Sequence, residues 1–316
     1  MINIVVTKDS CLIETKGLEL ILTSEITSKR YPLILIRSIT INESTSFTGK
    51  ILRKCSEYGI HFSLETEGIS IGSWSHKVSG PQMQLVYKQM NYISSQEAQE
   101  TVAKWLQLKT EGRLKFLSKA GGQGSSTRKY SKKAHSVFMN NSSISISKIL
   151  SQEGSLSKMY YAAINEILPE GVRFKKRTRQ PASDLFNAAL NYSLSVLYRI
   201  VESSLAASGL DPYLGINHSI ERGGKAMVYD MIEPFRPWVE EIVVIYLSSP
   251  YKGKTYAITE EDNQGIRLAK EDKVNLIQIL HNALQEKIIF QNKKMTKQNH
   301  IYHEGKKLRK CIKNFN

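Results

Sequence analysis

Apolar residues in the first eighty positions come in short β-branched or aliphatic runs: Ile2–Val6, Leu18–Leu22, Pro32–Ile41 and Ile60–Leu64. Lys16-Gly17, Asn42–Ser46 and Glu67-Gly68 separate them as turn formers, so the pattern predicts a small sandwich or another compact all-β unit. One helix is predicted within it. Between Ser46 and Tyr58, Ile51, Leu52 and Cys55 recur at helical spacing before a stop at Gly59. Beyond Ser79-Gly80-Pro81 the spacing turns helical. Met83–Tyr92 reads as a connecting helix, and Ser95–Leu108 opens on a Ser followed by acids, a capping signature. Ile144–Leu168, Ser183–Ala207 and Lys273–Ile289 follow the same period. The last has the clearest amphipathic stripe, in Val274, Ile277, Ile279-Leu280, Leu284 and Ile288. Residues 120–133 (AGGQGSSTRKYSKK) are Gly/Ser-rich and basic, and read as a mobile loop. They lack the Gly-Lys-Ser/Thr of a phosphate-cradling loop, and no strand precedes them.

Charge sharpens the division. The 316 residues include 44 Lys or Arg and 29 Asp or Glu, a net charge of +15. Residues 1–80 hold 9 basic and 8 acidic residues, so nearly all the excess lies in 81–316. It gathers at Lys104–Lys133, at Arg173, Lys175, Lys176, Arg177 and Arg179, and at Lys287–Lys313. One such cluster reads equally well as a solvated face; three in one half favour a polyanionic partner, because affinity for nucleic acid accumulates over many phosphates. A membrane surface fits less well: no basic segment carries a broad Trp/Phe/Leu face, and no apolar run approaches the roughly 20 residues of a span. Cys11, Cys55 and Cys311 lie far apart without CxxC spacing, which fits a reducing compartment. The chain enters a strand pattern directly, so the expectation is a soluble, cytoplasmic protein.

Candidate chemistry falls between Gln152 and Glu241. Glu153 opens a helical segment, His218 follows the turn-forming Gly209-Leu210-Asp211-Pro212, and Asp230 and Glu233 stand three apart. On a helix that spacing puts both carboxylates on one face, with Arg236 three further on; Pro234 and Pro237 are first-turn residues or kinks. Two carboxylates and an imidazole from separate segments can hold a divalent cation and leave positions for water or substrate oxygens. Beside dense Lys/Arg, such an ion points to chemistry on phosphodiesters. Each residue also has an ordinary explanation. Glu153 can serve a helix dipole, His218 can be a hydrogen-bonded loop histidine, and Asp230 and Glu233 can pair with Arg222 or Arg236 on a solvated face. His300 and His303 lie in a Lys- and Asn-rich tail, where solvation explains them.

At these residues the chain resembles the CRISPR-associated spacer-acquisition integrase/endonuclease, the universal catalytic Cas adaptation subunit. Three blocks carry the resemblance: Gln152-Glu153-Gly154 with Tyr160-Tyr161; Arg177 through Asp184–Tyr192; and Gly209-Leu210-Asp211-Pro212-Tyr213-Leu214-Gly215 through Asp230–Pro237. The family implies an α+β fold, with a small N-terminal β-sandwich-like domain (1–80) and a larger, mainly α-helical catalytic domain (81–316). It implies Mg²⁺ or Mn²⁺ held by Glu153, His218 and Glu233, with Asp230 supporting the site and Asn187 at a motif position. The sequence departs from the family pattern at Asn217, often hydrophobic, and at Glu240, usually Asp. The implied reaction joins the 3′-hydroxyl of a short DNA fragment to a CRISPR repeat by transesterification, with DNA endonuclease activity at the same site. Arg173, Lys175, Lys176, Arg177, Arg179 and Arg236 would neutralise the DNA backbone. The implied assembly is a homodimer with a small ferredoxin-like CRISPR-associated subunit. An integrase of a mobile element and a catalytically inactive nucleic-acid-binding paralogue are the alternatives.

Overall fold

A computed structural model of the chain describes residues 2–6, 11–66, 69–74, 80–138, 146–218, 224–248 and 265–315. The turn expected at Glu67-Gly68, Ser79 of the expected boundary, Ile144 and Arg222 lie outside them. The chain forms two compact units: Met1–Gln89 with Glu202–Pro212 and Gly305–Asn316, and Met90–Val201 with Tyr213–Glu304.

The strand-rich N-terminal region contains two four-stranded sheets. One joins β1 (Ile2–Val5), β5 (Ile36–Asn42), β7 (His61–Thr66) and β8 (Ile69–Trp74) in that order; the other joins β4 (Ser28–Pro32), β3 (Glu19–Thr23), β2 (Leu12–Lys16) and β6 (Ser46–Phe47). Alternating residues from both sheets, such as Ile13, Leu20, Ile39, Ile41 and Phe62, meet in one core. Helix α1 (Gly49–Tyr58) adds Ile51 and Cys55 to it, and burial pushes the Cys55 thiol up to about 12. Because α1 carries the chain from β5 to β7, those strands pair in parallel, as do β1 and β5. The helix makes this unit a βαβ crossover within a mixed sheet instead of an all-β meander. Gly59 ends α1 in the left-handed region at φ 64°, where its N–H reaches the Cys55 carbonyl.

Helix dominates the remaining chain. After α2 (Gly80–Tyr92), the second unit holds α3 (Gln96–Lys119), α4 (Ser125–Phe138) and α5 (Ile146–Ile167). Next come α6 (Leu185–Ala207), which ends in the first unit, then α7 (Ala226–Met231), α8 (Arg236–Ser248) and α9 (Lys270–Gln285). Ser95 caps α3 as its sequence predicts: the hydroxyl accepts from the Ala98 N–H at 3.1 Å. Helix α3 then packs against α5, α8 and the 3₁₀ turn Glu233–Phe235.

Three expectations are corrected here. The basic loop expected at about 120–133 is largely α4, because Thr127, Tyr130, Ala134 and Val137 form a buried helical face along it. Only 120–124 precede the helix, and the Glu166 carboxylate receives the Ser126 N–H at its start (2.9 Å). The helix expected over Lys273–Ile289 stops at Gln285, and its buried stripe is Leu276, Leu280 and Leu284. Ile288 instead belongs to a hairpin, β9 (Lys287–Phe290) with β10 (Lys293–Thr296), turned by Gln291 and Asn292 at positive φ. Then α10 (Lys297–Asn314) places His300 in the interior, where Nε2 lies 3.1 Å from the Ile288 carbonyl. The expected solvated tail is thus a packed helix at this histidine.

Candidate active site

The site lies wholly in the second unit, in a cleft of about 1050 Å³ lined by Glu153, His218, Asp230 and Glu233. Glu153 comes from the body of α5, not from its first turn, which removes the helix-dipole explanation. Asp230 and Glu233 both line the cleft, but not from one continuous α-helix: α7 ends at Met231 and a 3₁₀ turn with Pro234 as its second residue begins at Glu233, and the two carboxylates hold different neighbours.

Asp230 is 1% exposed and organises the histidine loop. Its Oδ2 accepts the N–H groups of Ile216 (2.6 Å) and Asn217 (3.0 Å), and Oδ1 accepts that of His218 (3.3 Å). Oδ1 also meets His218 Nδ1 at 2.6 Å. An ionised carboxylate only accepts, so Nδ1 carries the proton and Nε2 keeps its lone pair for a ligand or a proton. Gly215 lets the loop close this tightly: a Cβ there would lie 2.5 Å from that of Ala226 and 2.8 Å from the His218 carbonyl.

Glu233 faces two cations. Lys109 Nζ donates to its Oε2, and Arg236 Nη1 donates to Oε1 at 2.9 Å. The same Lys109 Nζ donates to Glu153 Oε1 at 2.6 Å, which also receives the Ser157 hydroxyl at 2.8 Å. Burial pushes the Glu153 carboxyl up, but Lys109 more than reverses this and leaves it below the usual range. For Glu233 burial is again the largest influence; Lys109 and Arg236 together override it and hold the group well below the carboxylate range. Arg236 is therefore an interior ion-pair partner of Glu233, not a residue on a solvated face.

A second ion-paired layer supports the first. Arg113 is one turn beyond Lys109 on α3 and forks onto Glu240 at 2.6 and 3.0 Å, while its Nη1 reaches Ser157 at 3.0 Å. Tyr161 donates to Glu240 Oε1 at 2.9 Å, and the Arg113 guanidinium stacks 4.2 Å from the Tyr160 ring centre. Lys109 and Arg113 belong to the basic run Lys104–Lys133, for which a solvated face is the ordinary explanation. They are 2% and 1% exposed instead. A signal for this existed: both interrupt the buried stripe that includes Leu106, Thr110 and Leu117.

Of the expected DNA contacts, Lys175, Lys176, Arg177, Arg179 and Arg236 line the cleft, and Arg173 is not among its lining residues. Arg173 Nε donates to the Leu168 carbonyl. Arg177 is committed locally, to Asn187 (2.9 Å) and Asn191 (2.6 Å). Asn187 receives the Thr178 N–H, donates to the Lys176 carbonyl and is tied to Asp184, the cap of α6. Its role in this arrangement is to shape the basic segment.

The donor set fits a divalent cation in its chemistry: two ionised carboxylates and an imidazole whose tautomer is held by a buried carboxylate. Lys109 lies between the two carboxylates, and no three Asp, Glu, His or Cys side chains among the described residues stand ready as a cluster.

The family model for CRISPR associated protein Cas1 matches residues 4–282. The chain belongs to the Cas1 family. Among relatives, it is 25% identical over 261 residues to a CRISPR-associated endonuclease Cas1 of Thermus thermophilus, covering 81% of this chain and 76% of that one. It is 36% identical to a Saccharolobus solfataricus Cas1 endonuclease, but over only 37% of this chain and 38% of the other. In fold it is similar to a Cas1 structure from Thermotoga maritima, at TM-score 0.78 and 21% identity over 99% and 97% of the chains. A casposase bound to its integration product matches equally well, at TM-score 0.78 and 21% identity over 99% and 90%. The α+β architecture agrees with that of the Thermotoga maritima Cas1 structure, and no described helix is long and apolar enough to cross a membrane.

Proposed function

We propose that this Cas1-family chain is a divalent-metal-dependent DNA integrase of CRISPR adaptation, with DNA endonuclease activity at the same site. One observation carries the reading: Glu153, His218 and Glu233, from three distant segments, line one cleft whose wall also bears Lys175, Lys176 and Arg179. Glu153, His218 Nε2 and Glu233 would hold Mg²⁺ or Mn²⁺. When bound, such an ion polarises the phosphoryl group under attack. Asp230 fixes the imidazole tautomer, and Lys109 with Arg236 keeps Glu233 ionised in a buried setting. The exposed cations hold backbone phosphates across the cleft. In the reaction, a fragment's 3′-hydroxyl oxygen forms a bond to phosphorus in the repeat, while the bond from that phosphorus to the repeat's own 3′ oxygen breaks. The number of phosphodiesters is conserved, so no nucleotide hydrolysis is needed; water as the attacking group gives cleavage.

Cas1 and Cas2 occur together in the Cas6-RT-Cas1–Cas2 complex, one chain of which matches 99% of this chain over 35% of its own length, at TM-score 0.76 and 20% identity. We extend to this protein a homodimer working with a small ferredoxin-like subunit. The casposase likeness favours a second reading, the same chemistry serving a mobile element. A strand-transfer assay tests both: purified protein, a fragment with a free 3′-hydroxyl, and plasmids carrying either a CRISPR repeat or terminal inverted repeats, with and without Mn²⁺. Repeat-edge insertion supports adaptation; insertion confined to inverted repeats supports the element. Glu153→Ala, His218→Ala and Glu233→Ala are each expected to abolish joining with DNA binding largely retained, and full activity in any one removes that residue from the site.

A further inference from the structure

Within α3, an apolar helix face carries the buried Lys109 between two glutamates that line the cleft. Burying an ammonium is costly unless it is paired, and Lys109 is paired with two carboxylates at once. It occupies Glu153 Oε1 and Glu233 Oε2, one carboxylate oxygen of each glutamate that would hold the ion. The surrounding ion-paired set consists of Glu153, Asp230, Glu233 and Glu240 against Lys109, Arg113 and Arg236. With His218 neutral, four negative groups face three positive ones. Within this ion-paired set a divalent ion would turn the single negative excess into a single positive one, the charge that an entering phosphodiester group complements, and Lys175, Lys176 and Arg179 on the cleft wall add to that attraction.

We infer that Lys109 is a resident counter-cation that makes metal binding and phosphodiester binding depend on one another. This rests on the metal reading of Glu153, His218 and Glu233 given above. In the free protein the Lys109 ammonium satisfies both glutamates and repels a second cation. When a DNA phosphate enters, it offers Lys109 another anion and offsets the added positive charge. Ion and nucleic acid then raise each other's affinity by the same factor, as linkage requires. Lys109 is thus a positioning residue: it acts through the glutamates and keeps the ion from settling firmly before substrate is present.

The experiment is calorimetric titration of Mn²⁺ into the full chain, with and without a short DNA duplex bearing a 3′-hydroxyl. Wild type should bind Mn²⁺ at least about tenfold more tightly when DNA is present; equal affinities overturn the inference without any variant. Lys109→Met keeps the length and removes the charge. It should tighten Mn²⁺ binding to the DNA-free protein by about 10- to 100-fold, the scale of one unit charge about 4 Å from a divalent ion under water-like screening. It should also shrink the DNA-dependent gain, whereas Lys109→Arg should retain wild-type behaviour. Thermal unfolding supplies a second readout: Lys109→Met should melt lower without metal and show a larger rise with Mn²⁺ than wild type. Unchanged or weaker Mn²⁺ affinity in Lys109→Met overturns the role of Lys109 alone. If wild type with DNA takes up no Mn²⁺ that Glu233→Gln abolishes, the metal reading itself falls, and the inference with it.

Discussion

Replacing Asp230 with Asn isolates the role of a carboxylate that supports His218. Four donors converge on Asp230: three loop N–H groups and His218 Nδ1. An amide has one accepting oxygen, so two of those donors must face an NH₂ group. If the oxygen keeps Ile216 and Asn217, the loop stays folded and the amide nitrogen faces His218. The imidazole then relieves the donor–donor clash by moving its proton from Nδ1 to Nε2. That tautomer presents an N–H where a cation requires a lone pair. Restoring the original tautomer forfeits the amide-to-imidazole hydrogen bond and turns two part-buried donors on each other, a cost of about 1–3 kcal/mol. That corresponds to about 10- to 100-fold in metal affinity, the range found when partners of metal-bound histidines are removed. Mn²⁺ titration measures the loss, and ¹⁵N imidazole shifts of the metal-free protein report the tautomer. Wild type should show a protonated Nδ1 and Asp230→Asn a protonated Nε2. His218→Ala with Asp230→Asn should bind metal no more weakly than His218→Ala alone. An unchanged tautomer, or Mn²⁺ affinity within about twofold of wild type, refutes this account of Asp230.

The supporting layer predicts a pH dependence. Burial pushes the Glu240 carboxyl up, but Arg113 outweighs it, so its folded pKa lies below the ordinary value of about 4.3. Its contribution to stability is therefore complete above that ordinary value and is lost as pH falls through the lowered folded one. Glu240→Gln should have a shallower acid limb in urea melts taken from pH 7 downward, and should lose about 3 kcal/mol at pH 7 because Arg113 is left buried and unmatched. An acid limb as steep as wild type's contradicts the pairing. For the basic segment, Lys175→Gln, Lys176→Gln and Arg179→Gln together should flatten the salt dependence of duplex binding by about 0.9 for each phosphate no longer neutralised. Arg177→Gln should instead lower stability, since its guanidinium holds Asn187 and Asn191. A salt slope unaltered by the triple substitution means that this wall does not meet DNA.

Local signals in the sequence determined many elements. Period and punctuation were enough to place α1 and its stop at Gly59, the Ser95 cap of α3 and the long helices α5 and α6, because these depend on residues within a few turns of one another. Motif order singled out Glu153, His218, Asp230 and Glu233 as candidates. Tertiary structure decided which strands pair, so the parallel β5–β7 ladder had no local signature. It also decided that Ile288 turns into a hairpin after α9, and that Asp230 and Glu233 take different partners across the change from α7 to the 3₁₀ turn. Above all, it decided the state of charged residues. Lys109 and Arg113 resemble surface cations until Glu153, Glu233 and Glu240 meet them from other segments. A charge can stay buried only where the fold delivers its partner, and no stretch of sequence contains both.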